Sequence, residues 1–357
     1  MTLSGNLEGT EPAGEIAQAP SVLQAVLDAA RESILIVEAT TRITAANRPA
    51  HGAFAWQDGS LVGKRLSEVI RSAALHEAFR SAIQQRAPND ISFEFTDHGK
   101  NIFNVYVSPI EIDGLPHAIG VFYDVTQIER LERVRQEFLS NISHELRTPL
   151  TAIMAFVETL EDGAIDDKEN NRRFLGVIRR NAERMRALIA DILELSLIES
   201  GNVSVDLKYV PLAPIVDEIF AALSSNAKTH NITLINEITT GSTVFADPVR
   251  LEQMLTNLID NAIKFNREQG KVTTTFEKRG DVGVISVVDT GEGIPAEHLQ
   301  RIFERFYRAD RGRTRDIGGT GLGLAIVKHL ARLHGGEISV RSSLGRGTTF
   351  SIEIPAK

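Results

Sequence analysis

A histidine stands next to a glutamate in the stretch FLSNISHELRTPLTAI, which covers 138–153. Apolar residues recur in this stretch at steps of three and four, which predicts one side of an amphipathic helix. They are Phe138, Ile142, Leu146, Leu150 and Ile153. His144 follows Ile142 by two residues, about 200° around the helix, so we expect its side chain to face solvent beside Glu145. An exposed imidazole next to a carboxylate suits a nucleophile that a moving partner must reach.

Thr148 and Pro149 follow His144 by about one helical turn. Pro149 lacks the amide that would bond the carbonyl of Glu145, so we expect the helix to bend just after the histidine. The hydroxyl of Thr148 can donate and accept hydrogen bonds, which would allow it a chemical role. A structural role is the alternative, because a β-branched residue fits the restricted backbone before a proline.

Three carboxamides recur at intervals of four in RLEQMLTNLIDNAIKF, which covers 250–265. Gln253, Asn257 and Asn261 should therefore lie on one face of a predicted helix, with Lys264 nearby. Carboxamide oxygens are hard ligands, suited to a Mg²⁺ ion that keeps most of its water and phosphate ligands. Asparagine is a poor helix former, so two of them on an otherwise apolar helix indicate a function rather than surface filling.

Two glycine-rich stretches follow. In VISVVDTGEGI, Asp289 ends a predicted strand and could accept a hydrogen bond from the exocyclic amine of adenine, while Gly291 and Gly293 let backbone approach the ring. GGTGLGLAI at 318–326 opens a predicted helix, whose first amides can hold phosphate. The second stretch lacks the Gly-Lys-Ser/Thr of a Walker A loop, and no βαβ unit supports a dinucleotide-binding fold.

The stretch around His144 resembles the H-box of the sensor histidine kinases, and the later stretches resemble their N, G1, F and G2 boxes in the same order. The F-box match is IFERFYRAD at 302–310, and the whole resemblance covers about 138–355. It implies an ATP-dependent protein histidine kinase in which His144 takes the γ-phosphate and Glu145 orients or deprotonates the imidazole. The phosphoryl group would then pass to an aspartate in the receiver domain of a response regulator.

The same resemblance implies roles in the ATP site. Asn261 should ligate Mg²⁺, Asp289 should bind the adenine amine, and Arg308 should contact the γ-phosphate. The other residues matched to ATP binding are Asn257, Lys264, Gly291, Gly293, Gly319, Gly321, Leu322 and Gly323. The arginine-rich segment 308–319 is expected to be a mobile lid over the triphosphate. On the acceptor helix, Thr148 should help to place the water that dephosphorylates the regulator.

The elements that position these residues indicate an α+β multidomain chain. A tail at 1–20 is rich in Gly, Glu, Thr and Pro and is predicted to be disordered. Residues 21–126 combine strands with short helices and end in three antiparallel strands, and they resemble a PAS domain, with AAN and YDVT as markers. Such a sensor could bind a small molecule or act only as a dimer contact, and the sequence leaves both open.

A helix at 127–137 is expected to connect the sensor, without a flexible linker, to a dimerisation and phosphotransfer region at 138–203. The second helix of that region has an uninterrupted heptad spacing. Its members are Phe174, Ile178, Asn181, Met185, Leu188, Ile192 and Leu195. Two helices cannot bury two such faces, so we expect hairpins from two chains to form a four-helix bundle in a homodimer.

Residues 204–357 mix helices with antiparallel strands, which predicts a two-layer α/β sandwich for the ATP-binding domain. The predicted helices are 213–229, 247–266 and 321–333. The longer predicted strands are 271–278, 282–289, 336–343 and 347–354.

Composition limits the function further. The 357 residues include no cysteine and carry a formal net charge of −8, which excludes thiol chemistry and argues against nucleic-acid binding. No apolar run approaches the ~18 residues of a membrane helix and no signal peptide is recognisable, so we expect a cytoplasmic protein with no membrane span. An ATP-driven conformational switch or a serine kinase would share the ATP fold but lack the HELRTP hairpin. A pseudokinase scaffold would have broken boxes, and none is visibly broken.

Overall fold

In a computed structural model of the chain, the described residues are 22–54, 59–96, 100–309 and 319–355. They form two compact units, within 1–136 and 137–357. The α+β multidomain fold is confirmed, with a helical hairpin lying in sequence between two α+β regions. The predicted tail at 1–20 and the segment 310–318 of the predicted lid lie outside the described residues. Within the described ranges, no helix is long and apolar enough to cross a membrane.

The first unit is built on an antiparallel sheet of five strands in the order β2-β1-β5-β4-β3. The strands are β1 (Ser33–Glu38), β2 (Ile43–Ala46), β3 (Asn89–Phe95), β4 (Asn101–Ile112) and β5 (Leu115–Asp124). The helices are α1 (Val22–Ala29), α2 (Arg48–Phe54), α3 (Leu66–Val69) and α4 (Ala73–Gln85). Side chains alternate along β4, where Phe103 and Val105 are buried and Asn104 is exposed, so the sheet has one face towards the core.

Phenylalanine rings fill the space between this sheet and helices α2 to α4. The ring of Phe54 lies 5.0 Å from that of Phe122 and 5.4 Å from that of Phe95, measured between centroids. A Cβ atom at Gly120 would lie 2.5 Å from the ring of Phe79, so the close packing requires glycine there. A small molecule between the sheet and these helices would have to displace aromatic rings.

The first unit ends in the start of helix α5 (Thr126–Glu161). The Asp124 carboxylate accepts hydrogen bonds from the amide of Thr126 at 2.9 Å and from its hydroxyl at 2.5 Å. The same hydroxyl oxygen accepts from the amide of Ile102 at 2.9 Å, which joins the helix start to β4. Helix α5 runs from Thr126 through the expected connecting segment at 127–137.

Helix α5 and helix α6 (Asn171–Glu199) form a hairpin through a 3₁₀ turn at Ala164–Asp166. The buried side of α5 differs from the prediction, because Pro149 is buried and Leu150 is 46% exposed. Its buried and half-buried apolar residues step by three and four. The larger ones are Phe138, Ile142, Leu146, Pro149, Ile153, Phe156 and Leu160. Such steps follow the 3.6-residue period better than repeated steps of four. The helix continues through Pro149, and the bend stays a prediction.

Helix α6 buries only part of its predicted heptad face. Leu188 and Leu195 are buried in the core of the C-terminal region, whereas Asn181 donates to the carbonyl of Val177 in its own helix at 2.9 Å. Large apolar side chains of the hairpin are exposed. They are Leu139, Leu150, Met154 and Val157 on α5, and Leu175, Ile189, Leu193 and Leu197 on α6. Exposed apolar residues in such number are typical of a surface that packs against another chain.

The C-terminal region is a two-layer α/β sandwich, as predicted. Its main sheet has the order β11-β12-β10-β9-β7, in which only β7 is parallel to its neighbour. The strands are β6 (Lys208–Pro211), β7 (Thr233–Asn236), β8 (Thr243–Ala246), β9 (Lys271–Arg279), β10 (Val282–Asp289), β11 (Glu337–Ser343) and β12 (Gly347–Pro355). The helices are α7 (Leu212–Thr229), α8 (Pro248–Lys264), α9 (Ala296–Leu299) and α10 (Gly323–Leu333). The apolar sides of α8 and α10 pack in one core with the sheet.

Candidate active site

His144 lies on the exposed side of α5, as predicted. It lines a shallow groove of about 460 Å³ that runs along the helix. The other lining residues are Arg147, Thr148, Thr151, Ala152 and Ala155. Because they follow His144 at steps of three and four, they share one face of α5. Apart from Arg147, the other side chains of this face are small and leave the imidazole accessible to a second protein surface.

The carboxylate of Glu145 is held by the other helix of the hairpin. Nη2 of Arg184 donates to Oε2 of Glu145 at 3.1 Å, across 39 positions of sequence. The side chains of Arg184 and Glu145 are 26% and 31% exposed, so solvent screens this pair only in part. Among the described residues, Oε1 of Glu145 has no hydrogen-bond partner, and no hydrogen bond joins the carboxylate to His144.

The hydroxyl of Thr148 is used locally. It donates to the backbone carbonyl of His144 at 3.2 Å, which supports the helix one residue before Pro149. This bond favours the structural alternative for Thr148. The hydroxyl oxygen can still accept a hydrogen bond on the exposed side of the helix, where a water molecule could donate to it.

Helix α8 begins at Pro248, and Asp247 caps it by accepting hydrogen bonds from two backbone amides. Its apolar residues from Leu251 to Ile263 are buried, while Asn257 and Asn261 are half-buried on the other side. Asn257 lies against the first turn of α10, because a Cβ atom at Gly323 would be 3.5 Å from its side-chain oxygen. In the described ranges, no group of three His, Cys, Asp or Glu side chains could hold a metal ion. A cation at Asn261 would need ligands from phosphate and water.

Two other polar residues of α8 have protein partners. The Gln253 amide donates to Glu194 of α6, whose carboxylate also pairs with Arg250 at 2.6 Å. Gln253 therefore contacts α6, while Asn257 and Asn261 lie further along the same face of α8. Lys264 pairs with Asp260 at 2.5 Å, so its ammonium already has a carboxylate beside it.

Asp289 ends β10 and is 8% exposed. Its Oδ1 accepts hydrogen bonds from the amides of Gly291 at 2.8 Å and Thr348 at 3.2 Å. Burial raises the pKa of Asp289 above its ordinary value, and these two hydrogen bonds oppose the shift. Among the described residues, Oδ2 has no hydrogen-bond partner, so it can accept from an exocyclic amine.

The two glycine stretches contain backbone that other residues rarely adopt. Gly293 and Gly321 both have a φ of +73°. A Cβ atom at Gly293 would lie 2.1 Å from the carbonyl oxygen of Ser343, and one at Gly321 would lie 3.0 Å from the Cα atom of Phe306. Side chains at either position would force these backbones apart. The amide of Phe306 donates to the carbonyl of Gly321 at 2.9 Å, so the F-box and the second stretch are held together.

Arg308 extends from the F-box to the second glycine stretch, where its guanidinium donates to the carbonyl of Gly319. Leu322 is fully buried, and α10 begins at Gly323, two residues later than predicted. The structure thus brings Arg308, the glycines and the start of α10 together. The rest of the predicted lid is outside the described residues.

Helix α6 contacts this stretch through Asp191. The hydroxyl of Thr320 donates to Oδ2 of Asp191 at 2.7 Å, across 129 positions of sequence. Burial raises the pKa of Asp191, and the hydrogen bond from Thr320 and the charge of Lys264 oppose the shift. A carboxylate therefore occupies the edge of the predicted phosphate site.

The F-box also contacts the hairpin. The ring of Phe306 lies 5.8 Å from that of Phe138 on α5, and the guanidinium of Arg305 lies 5.1 Å from the same ring. Arg305 pairs with Glu199 of α6 at 2.5 Å. Together with the Asp191 contact, these interactions hold the C-terminal region against both helices of the hairpin.

The contact between Asp191 and Thr320 and the His144 side chain lie at different positions along the hairpin axis. Asp191 follows Arg184 by seven residues, which is about 10 Å along α6. Arg184 is opposite Glu145 and so marks the level of His144. In-line transfer needs reacting atoms about 3–3.5 Å apart, so a phosphate at Thr320 would have to approach the imidazole by a movement along the hairpin.

Three residues of this arrangement carry no recognisable signal in the sequence. Arg184 is one of several arginines on α6, and Asp191 is an acidic residue at an ordinary helical position. Thr348 is one of two consecutive threonines in the last strand. Only their contacts distinguish them from their neighbours.

Three parts of the chain match families of known domains. Residues 27–130 match the PAS fold, and 134–201 match the His Kinase A (phospho-acceptor) domain, which includes His144. Residues 246–357 match the histidine kinase-, DNA gyrase B- and HSP90-like ATPases, with Asn261 and Asp289 inside the match. By this match the C-terminal region is an ATP-binding domain.

Similar proteins come from several bacteria. The chain is 39% identical over 249 residues to the sensor histidine kinase WalK of Bacillus subtilis (strain 168), covering 69% of this chain and 40% of WalK. It is 33% identical over 341 residues to the sensor protein kinase WalK of Staphylococcus saprophyticus, covering 94% of this chain and 55% of the relative. The chain thus spans about half the length of these relatives.

Similar solved structures include a histidine kinase AdeS from Acinetobacter baumannii. It has a TM-score of 0.51 at 25% identity, over 60% of this chain and 98% of AdeS. Histidine kinase ThkA, solved in complex with the response regulator protein TrrA, shares the fold with a TM-score of 0.51 at 24% identity. That match covers 93% of this chain and 98% of the ThkA chain.

Proposed function

This chain belongs to the sensor histidine kinases, and from that premise we propose that it is an ATP-dependent protein histidine kinase that phosphorylates its own His144. The observation that carries the proposal is the exposed His144 in a phosphoacceptor-type hairpin, within the same compact unit as an ATPase-type domain. ATP is the phosphoryl donor. A cytoplasmic location stays a prediction.

The proposed adenine contact is Oδ2 of Asp289, which has no other partner in the described ranges and can accept from the exocyclic amine. The glycine stretches, with Gly291, Gly293, Gly319, Gly321, Leu322 and Gly323, form the walls of the proposed pocket. Arg308 is the proposed γ-phosphate contact, with Lys264 and Asn257 nearby. Asn261 would hold Mg²⁺, which offsets phosphate charge when bound. Asn257 and Asn261 fit that ion because they offer neutral oxygens on one face of α8.

In the proposed reaction an imidazole nitrogen of His144 attacks the γ-phosphorus in line. The N–P bond forms as the bond from phosphorus to the bridging oxygen breaks, and ADP leaves with the electron pair. The proton on the other imidazole nitrogen passes to the carboxylate of Glu145. The contact between Asp191 and Thr320 must open first, because it holds the phosphate site about 10 Å from the level of His144.

The second proposed acceptor is an aspartate of a response regulator receiver domain. The groove beside His144 supports this proposal, because its small side chains admit another protein surface to the imidazole. Thr148 lies in the same groove, and its hydroxyl oxygen is the proposed contact for a water that removes phosphate from the regulator.

A homodimer is proposed for the hairpin. The exposed Leu139, Leu193 and Leu197 support it, because a second hairpin would remove these side chains from water. Sedimentation of the purified chain should then give twice the monomer mass.

The test of the proposed function is incubation of the purified protein with ATP labelled at the γ-phosphate. We expect label that is lost in acid and kept in alkali, as for a phosphohistidine, and no label in His144→Ala. The variant should bind ATP as the wild type does, because His144 lies outside the nucleotide pocket. Acid-labile label in His144→Ala would place the nucleophile elsewhere. Nucleotide binding without any label in the wild type would favour a pseudokinase scaffold or an ATP-driven switch.

A further inference from the structure

We propose that Arg184 is a positioning residue for phosphoryl transfer, which holds the carboxylate of Glu145 in place to take the proton of His144. The inference rests on the proposed histidine kinase function. It concerns a residue on the second helix of the hairpin, outside both the acceptor stretch at 138–153 and the nucleotide pocket.

The geometry of the ion pair supports this role. Nη2 of Arg184 bonds one carboxylate oxygen of Glu145, Oε2, at 3.1 Å. The other oxygen has no hydrogen-bond partner among the described residues, so it can accept the N–H of an imidazole. The observed contact fixes the side chain through one oxygen and leaves both lone pairs of the other oxygen available.

Glu145 needs such a partner because of its place on α5. It follows His144 directly, so the two side chains leave the helix about 100° apart and do not face each other by default. A glutamate side chain has three rotatable bonds, and without a partner it would spread over many rotamers at this half-buried site. Arg184 restricts that spread from the side opposite the solvent-facing imidazole.

In this proposal the ion pair also determines which imidazole nitrogen carries the proton and which one attacks. Once the imidazole turns one ring N–H towards Oε1, the lone pair of the other nitrogen points away from Glu145, towards an incoming γ-phosphorus. Loss of Arg184 should therefore lower the rate of the chemical step and leave ATP affinity unchanged, since Arg184 has no contact with α8 or the glycine stretches among the described residues.

The experiment is single-turnover autophosphorylation of the full chain at several ATP concentrations, with wild type, Arg184→Gln, Arg184→Lys, Glu145→Gln and the double variant Glu145→Gln/Arg184→Gln. We expect Arg184→Gln to lower the maximal rate about 10-fold at unchanged half-saturating ATP, as for a misplaced catalytic group. Glu145→Gln should lower it about 100-fold or more, the scale of general-base catalysis. Lysine should restore most of the rate, because the observed contact uses a single nitrogen.

The double variant separates positioning from folding. If Arg184 acts through Glu145, Arg184→Gln should change the rate of the Glu145→Gln protein by less than about twofold. Arg186→Gln is the matched control, since Arg186 is an exposed arginine two residues further along α6. It should match the wild type.

Equal or faster labelling in both Arg184 variants would overturn the inference. It would indicate that the ion pair holds Glu145 away from the imidazole or has no effect on the reaction. An additive loss in the double variant, or a lysine variant as slow as glutamine, would also overturn it. Absence of labelling in the wild type would instead contradict the proposed kinase function. Failure of the Arg184 inference and failure of the proposed function are therefore distinguishable.

Discussion

On helix α5 the imidazole of His144 is exposed beside an open groove, and Arg184 of α6 bonds the adjacent Glu145. At the end of β10 the carboxylate of Asp289 is 8% exposed and is fixed by backbone amides from two other segments. The first region is one helix face with a single long-range ion pair. The second is assembled from a strand end, a glycine turn and the last strand.

The difference follows from what each group must do. In the proposed function His144 is reached in turn by a nucleotide-bearing domain and by a regulator, which requires open surroundings. In the same proposal Asp289 recognises one ring, which requires a fixed acceptor in a site that excludes water. Helix α6 contacts both regions, with Arg184 at the acceptor and Asp191 at the glycine stretch. It therefore links the proposed acceptor region to the proposed phosphate site.

The largest contrast should come from Asp289→Asn compared with His144→Ala. The asparagine variant loses a charged acceptor for the adenine amine, a bond of about 1.5–3 kcal/mol, so ATP affinity should fall about 10- to 150-fold. His144→Ala should change affinity by less than about twofold, since the acceptor is outside the pocket. Titration calorimetry measures both. Comparable losses in the two variants would mean that the two regions are not independent.

The same aspartate predicts a pH dependence. The ionised carboxylate accepts the amine hydrogen, so affinity falls as pH drops through the pKa of Asp289. Because burial raises that pKa, the loss should begin at a higher pH than for an ordinary aspartate. In Asp289→Asn this acidic loss should be absent. A wild-type profile that matches the variant would assign the titration to another group.

The second contrast tests the carboxamides of α8. Asn261→Ala should raise the Mg²⁺ concentration for half-maximal labelling about 10-fold, the scale of one lost polar contact. Gln253→Ala is the matched control, because its amide bonds Glu194 of α6. Its Mg²⁺ dependence should equal that of the wild type. A larger shift for Gln253→Ala than for Asn261→Ala would contradict the assignment.

The third prediction concerns the hydrogen bond between Asp191 and Thr320, which links the two regions. Asp191→Ala removes the hydrogen bond to Thr320, which should free the phosphate site to approach His144 and speed autophosphorylation about 3- to 10-fold. Glu183→Ala changes an exposed acid on the same helix and should leave the rate unchanged. Slower labelling in Asp191→Ala would mean that the contact assists transfer.

The smallest effect is expected at Thr148. Thr148→Ala should keep His144 phosphorylation and slow the loss of phosphate from the regulator about 2- to 10-fold, the scale of one hydrogen bond to water. Thr159→Ala is the control, because the Thr159 hydroxyl makes the same kind of bond, to the carbonyl of Ala155 at 2.8 Å, away from His144. Equal decay of the regulator's phosphoaspartate with mutant and wild type would leave Thr148 a structural residue.

Most elements of the C-terminal region were predictable. Helix α8 was expected at 247–266 and covers Pro248–Lys264, and the strand expected at 282–289 is β10 (Val282–Asp289). These elements carry strong local signals, namely an Asp-Pro cap before an amphipathic helix and an apolar run that ends in an aspartate. Leu150 was misplaced because its spacing from Leu146 fits one turn, although the stripe passes through Pro149 instead.

The sequence by itself determined the kind of residue at each functional position and the helix or strand that carries it. Periodicity placed His144 on an exposed face and the asparagines on one side of α8, because side-chain direction within an element depends only on local geometry. Spacing cannot say which distant segment packs on a face. The tertiary structure alone decided that Glu145 pairs with Arg184, that Gln253 belongs to α6, and that Asp191 bonds Thr320. These partners are 39 to 129 positions apart, and only packing brings such residues together.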